Sequence, residues 1–303
     1  TETEGTLAEK LQSRFPRNAS NSLIDRITAN GEPSPVSVWP NPFRASRAVR
    51  VIEEPELLLR DGTIRTARRR VRPSEVPQVP QLWRHTSSDG ATPRVGIMFG
   101  DVEDVTGVPC WVNPENTEMQ MARVTEKSIS ARIRALGARW TGFNREHSDD
   151  AMYLALAREM GGRRKLSCGE VLMTAVQPNT NLRIKNGVHS VAHVAVVESS
   201  GPGAGFRVGG DIGACVTNVL KEIQRYDRDR PLNLTSVLLP LLAAGDGGVA
   251  AETSAAQIAQ ALERWIKDTA AEKRITEVYL LARDLRTREA ITGALEANDF
   301  EPD

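Results

Sequence analysis

Cysteine is scarce in this chain: Cys110, Cys168 and Cys215 are the only three in 303 residues. They are odd in number, far apart and form no C-x-x-C pair. That argues against a disulfide framework or a zinc ribbon and suits a reducing, cytoplasmic setting. Histidine is almost as rare. His85, His147, His189 and His193 show no H-E-x-x-H spacing, so neither a metal nor another cofactor is expected. No run of about 18 apolar residues occurs, which gives no membrane span, and the amino terminus lacks the charged-then-apolar pattern of a signal peptide. It starts at Thr1 rather than Met, as a processed chain or a piece of a longer protein would. Net charge is absent too: 39 Lys and Arg balance 39 Asp and Glu. No global field draws the chain to nucleic acid or anionic lipid. The one dense basic run, Arg65–Arg72, reads as a solvated strand face or loop rather than a grip on a phosphate backbone.

What is present is an ordinary globular composition, long enough for two modest domains or for one domain with an extension. Residues 1–90 read as an irregular extension packing on the main domain. Short apolar spacings at Leu7–Phe15 and Leu23–Ile27 are followed by Pro33, Pro35, Pro40, Pro42, Pro73, Pro77 and Pro80. Proline at this density blocks long helices and central strands. Val36–Trp39, Ala48–Ile52 and Ile64–Thr66 are the candidate short strands there.

Residues 91–303 alternate apolar runs with amphipathic stretches. Strands are expected at Val95–Phe99, Pro109–Asn113, Glu170–Ala175, Ser190–Glu198, Ser236–Leu242 and Glu277–Ala282. Helices are expected at Thr117–Ala138, from Ser148 through Met160, at Ile212–Tyr226, Thr253–Thr269 and Arg286–Ala297. Strands apolar throughout, alternating with helices, imply an α/β fold with a mixed, mostly parallel sheet covered on both faces. Ligands of such sheets sit beyond the carboxyl ends of the strands.

At one such end the sequence runs Leu242-Ala243-Ala244-Gly245-Asp246-Gly247-Gly248-Val249, with a helix following. Small residues let backbone N–H groups approach an anion, and a helix start adds positive potential. The alternative is a tight strand-to-helix turn. Asp246 opposes the anion reading unless its carboxylate points away or binds a cation or donor. Gly100-Asp101-Val102 and Val112-Asn113-Pro114-Glu115-Asn116 close two further strands. Asp can accept from an adenine amino group and Asn can hold ribose hydroxyls; each can equally be a turn or cap residue.

In order and spacing these blocks resemble the macro domain family over roughly residues 94–297. That family carries Gly-Asp-Ile, then Val-Asn-Ala-Ala-Asn, then Gly-x-x-x-x-Thr, matched by Gly169–Thr174. Its Ile-His-Ala-Val-Gly-Pro strand is similar to the stretch around His193, offset by one, and its Pro-Ala-Ile-Gly-Thr-Gly-Val-Tyr-Gly loop to Pro240–Gly248. The resemblance implies a three-layer α/β/α domain. It implies that Asp101 meets adenine, that Asn116 meets the distal ribose and that Ala243–Val249 holds the phosphates, with Val102 and Asn113 as further ligand-binding candidates. The family's Gly-Gly-Gly-Val loop is missing: Thr117-Glu118-Met119-Gln120-Met121 stands in its place, with Gln120 and Arg123 as substitute contacts.

Three functions stay open on this reading. One is binding of ADP-ribose or a related NAD-derived nucleotide, as a reader or sensor that also engages an ADP-ribosylated protein or a fused effector domain. A second is hydrolysis of ADP-ribosyl groups, with Glu115 a candidate acid or base. A third is a degenerate structural or interaction module. The missing glycines favour binding over hydrolysis.

Overall fold

The central strands are apolar on both sides because both sides are covered. In the computed structural model, which describes residues 57–58, 64–65, 80–86, 92–141, 146–201, 205–245, 247–268 and 274–303, the chain divides into two units, Thr1–Val76 and Pro77–Asp303. In the first, a short antiparallel pair is described, β1 (Leu57–Leu58) with β2 (Ile64–Arg65). The expected elements at 7–15, 23–27, 36–39 and 48–52 lie outside the described residues.

The second unit is built on a nine-stranded sheet. Its strands are β3 (Gln81–His85), β4 (Arg94–Phe99), β5 (Cys110–Asn116), β8 (Val171–Ala175), β9 (Ser190–Ser199), β10 (Phe206–Val208), β11 (Ser236–Pro240), β12 (Glu277–Ala282) and β13 (Phe300–Pro302). A separate hairpin joins β6 (Arg139–Thr141) to β7 (Glu146–Asp149). The sheet order is β10-β9-β5-β11-β12-β4-β3-β13, with β8 also on β9. The five strands from β9 to β4 are parallel, and the flanking β3, β13, β8 and β10 each join by antiparallel pairing. The sheet is therefore mixed and mostly parallel at its centre, as expected. It also begins before the regular pattern at Arg94, because β3 pairs β4 with Trp83 opposite Val95.

Period-2 alternation assigns residues to two layers. Val95, Ile97, Val112, Val194, Val237, Leu239, Val278 and Leu280 face one layer. It is covered by α4 (Ile212–Asp229), α5 (Ala251–Lys267) and α6 (Leu285–Glu296). Helix α4 buries Ile212, Val216, Val219, Leu220 and Ile223 at the i, i+3, i+4 spacing that makes one stripe. Met98, Trp111, Val191, Leu238, Tyr279 and Leu281 face the other layer. There they meet α1 (Ile129–Leu136), α2 (Ala151–Met160) and α3 (Asn181–Ile184). The result is a three-layer α/β/α arrangement. Its helix ends follow local rules: Asp211 accepts from Gly213 N–H at the start of α4, and Gly161 closes α2 in the left-handed region at φ 58°. No described helix is long and apolar enough to cross a membrane.

One expectation is corrected. The stretch 117–138 is not one helix; only Ile129–Leu136 is helical. Met119 sits at φ 53°, which no helix interior admits. Ser128 caps the true start by accepting from Ala131 N–H at 3.2 Å. Met119 and Met121, apolar positions within that stretch, are buried from a loop.

Gly96 shows how tightly the second layer packs. It lies opposite Tyr279 in the β4–β12 register, and a Cβ there would stand 2.5 Å from the Tyr279 ring. Gly96→Ala is expected to lower stability by roughly 1–3 kcal/mol through overpacking. Urea unfolding measures this; an unchanged midpoint would show that the ring moves aside freely.

Candidate ligand site

Because β4, β5, β9, β11 and β12 run parallel, their carboxyl ends share one edge of the sheet. Several residues singled out in the sequence arrive there for that reason. The loop after β11 is the most developed feature. Ala243 adopts φ 58° and Gly248 φ 71°. Gly248 N–H donates to Gly245 O at 3.0 Å and Val249 N–H to Ala243 O at 3.1 Å, closing a compact turn. Ser254 Oγ anchors it by donating to Leu242 O at 2.7 Å. Among the described residues, the N–H groups of Ala244, Gly245 and Gly247 make no hydrogen bond, and α5 begins next door at Ala251 with no side-chain cap. N–H donors left open around a turn, beside a helix start, can accept an anion. Asp246 lies outside the described residues.

The three described glycines of this loop serve different ends. A Cβ at Gly247 would meet Ala243 O at 2.8 Å and Val197 Cγ1 at 2.9 Å, so packing against β9 demands glycine. Gly248 is demanded by its φ. Gly245 is exposed, and a Cβ there would meet nothing within 4 Å.

The facing wall is the loop 117–128. Thr117 N–H donates to Val197 O at 2.9 Å, so both walls meet at Val197. Where the glycines are lacking, side chains shape the wall. Asn116 Oδ1 accepts from Gln120 N–H at 3.1 Å, and Asn116 Nδ2 donates to Gln120 O at 3.5 Å. Arg134 Nη1 donates to Met121 O and Ala122 O at 3.0 and 3.1 Å. The same guanidinium binds Asp150 through Nε at 2.8 Å and lies over the Tyr153 ring. Gln120 and Arg123 are exposed.

At the far side of the edge, Gly100 N–H donates to Ala282 O, joining the ends of β4 and β12. Asp101 is exposed there, with Arg283 Nε 4.0 Å from its Oδ1. Val102 is buried beneath it.

Asn113 is elsewhere. It is fully buried in the middle of β5, because that strand continues three residues further than the sequence suggested. Asn113 Nδ2 lies 2.8 Å from Glu115 Oε1 and 3.1 Å from His193 Nδ1. His193 Nε2 lies 2.9 Å from Thr174 Oγ1, and Ser130 Oγ donates to Glu115 Oε1. Ser130 in turn accepts from Ala122 N–H at 3.1 Å, tying this buried polar chain to the loop 117–128. Burial pushes the His193 pKa down to about 3, so its ring is neutral. Burial pushes the Glu115 carboxyl up to about 7, against the hydrogen bonds from Ser130 and Asn113 and the Arg134 charge. Sequence reasoning missed Ser130, Arg134 and Arg283. Ser130 and Arg134 fall inside what reads as a featureless amphipathic stripe.

No protein-family model matches the chain, and no curated protein matches it in sequence. Solved structures do show likeness. A macrodomain of Oceanobacillus iheyensis, in a variant form with ADPR, is 12% identical with a TM-score of 0.49, covering 71% of this chain and 97% of that one. The same protein with ADP is 13% identical with a TM-score of 0.48, covering 71% and 96%. A Trypanosoma brucei protein in complex with ADP-ribose is 12% identical with a TM-score of 0.43, covering 66% and 68%. These structures are macrodomains. The macrodomain likeness concerns overall fold, and at such identities it transfers no residue roles.

The buried carboxyl yields a pH prediction. A folded pKa of about 7 against 4.5 unfolded means that the folded state holds its proton more tightly. The stabilisation is complete below pH 4.5 and is lost as pH rises through 7. Relative to Glu115→Gln, the wild-type chain is expected to lose roughly 2–4 kcal/mol between pH 4.5 and 8. Parallel pH profiles of the two unfolding curves would show the expectation wrong.

Proposed function

We propose that the carboxyl edge of the parallel strands binds a diphosphate-bearing nucleotide of the ADP-ribose class, with residues 243–249 holding the diphosphate. The observation that carries this reading is the set of N–H donors at Ala244, Gly245 and Gly247 beside the uncapped start of α5. The sequence resemblance supports the assignment of Asp101 to the adenine end. ADP and ADP-ribose, the ligands named for the macrodomain structures, belong to the same chemical class.

Binding is preferred to hydrolysis on the state of the distal wall. Both ends of the Asn116 amide are engaged with the Gln120 main chain. Glu115, whose pKa would suit proton transfer near neutrality, is 4% exposed and bonded to Asn113 and Ser130. Neither group is free to orient a water against a ribose carbon. We therefore read the protein as a binder that leaves its ligand intact, acting as a reader of ADP-ribosylated protein or as a sensor joined to an effector domain.

Calorimetry with ADP-ribose tests the reading. Gly245→Ala is expected to raise Kd about tenfold or more, because a methyl group would intrude where the phosphates approach. Its Tm should stay unchanged, since nothing in the protein opposes that Cβ. Asp101→Ala should weaken ADP-ribose and leave ribose 5-phosphate unaffected. No heat with ADP-ribose, ADP or NAD at high micromolar concentration would sink the proposal, as would ligand hydrolysed during the titration for the preference over catalysis.

A further inference from the structure

We propose that His85, Glu263 and Asp299 form a binding site for a divalent transition-metal ion of the zinc class, on the edge of the sheet opposite the nucleotide. The register places it. β3 runs antiparallel to β4 with Trp83 opposite Val95, so His85, two residues on, lies beyond the amino end of β4. Helix α5 starts at the carboxyl edge and runs back along the sheet, which brings Glu263, in its last turn but one, to the same amino edge. Asp299 precedes β13, whose Phe300 pairs with His85. Thr86 N–H donates to Asp299 O at 2.9 Å and fixes that turn, with Asp299 at φ 58°.

One ligand atom from each of the three side chains lies within 4.8 Å of the other two. His85 Nε2 stands 3.8 Å from Glu263 Oε1. That exceeds a hydrogen bond and matches two ligands sharing one ion at about 2.0–2.2 Å each. The imidazole is 1% exposed and held edge-on to Phe300, with ring centroids 5.3 Å apart at 87°. It is thus an oriented ligand that loses little freedom on binding. Glu263 is half-buried and Asp299 exposed, which gives the ion an entry path and room for water to complete its shell.

The donor set selects the ion. Two carboxylates neutralise a divalent charge, and the ring nitrogen favours zinc over magnesium or calcium. Two carboxylates brought so close beside a buried ring also repel each other, and a shared dication removes that repulsion. Lys267 Nζ lies 2.6 Å from the same Glu263 Oε1, so the ion displaces an ammonium that solvent can stabilise. The site would clasp β3, β13 and α5 together, three segments that lie far apart in sequence.

The experiment uses the full chain, stripped with chelator, and follows Tm against ZnCl2, with MgCl2 as control. Zinc is expected to raise Tm by about 5 °C at a hundredfold excess over Kd, and magnesium to leave it unmoved. Glu263→Gln with Asp299→Asn should abolish the zinc response while keeping the metal-free Tm within about 2 °C, since both side chains reach solvent. Co2+ should give visible ligand-field bands in the wild-type chain and none in the double variant. No zinc response in the wild-type chain, or an equal response in the double variant, overturns the proposal.

Discussion

β5 is hydrogen-bonded along both of its edges, to β9 on one side and β11 on the other, and all three strands run the same way. Much else depends on that sandwiching. It places Asn116, the loop after β11 and the end of β9 at one edge of the sheet. It also forces every side chain of β5 into one of two covered layers, where an unpaired polar group is costly. Asn113 Nδ2 and Glu115 Oε1 meet that demand by bonding to each other and outward to His193 and Ser130, and Thr174 meets the far nitrogen of the ring, while Asn113 Oδ1 has no partner among the described residues. The buried polar chain is thus a consequence of placing polar residues on a strand with no exposed face.

The two walls of the candidate site solve one structural problem by different means. The wall at 243–249 is made of backbone: small residues, left-handed turns and a helix start, with Gly247 pressed against Val197. The wall at 117–128 is made of side chains. Asn116 turns the chain and Arg134 holds two carbonyls while paired with Asp150. A backbone wall presents donors and can come close to a ligand. A side-chain wall is shaped by groups already committed to one another.

The two edges of the sheet gather different groups. The carboxyl edge gathers the N–H groups of the loop after β11, proposed above to meet a diphosphate. The amino edge gathers His85, Glu263 and Asp299, a set suited to a cation. Both follow from strand direction, because parallel strands and the helices that return between them send opposite ends of the chain's elements to opposite edges.

Most of the sheet and its helices were legible in the sequence, because apolar periodicity reports burial and burial on both faces reports a covered parallel sheet. Glu277–Ala282 matches its strand residue for residue, and the Ala243–Val249 loop was visible as glycines between a strand and a helix. Other features were decided by tertiary contact. Met119 and Met121 stand among the apolar positions of the stretch 117–138, yet a loop buries them, since an apolar residue records that a side chain is inside and not which backbone carries it there. Asn113 has the place of a strand-end ligand in the sequence, yet pairing with β9 extends the strand past it. His85 carries no motif, because its neighbours Glu263 and Asp299 come from distant segments. The sequence by itself determined the layers, the order of elements and the glycine loop, all of which rest on local propensity and burial. Only the tertiary structure decided which polar groups meet, because strand register and helix return bring together residues whose spacing in the chain carries no signal.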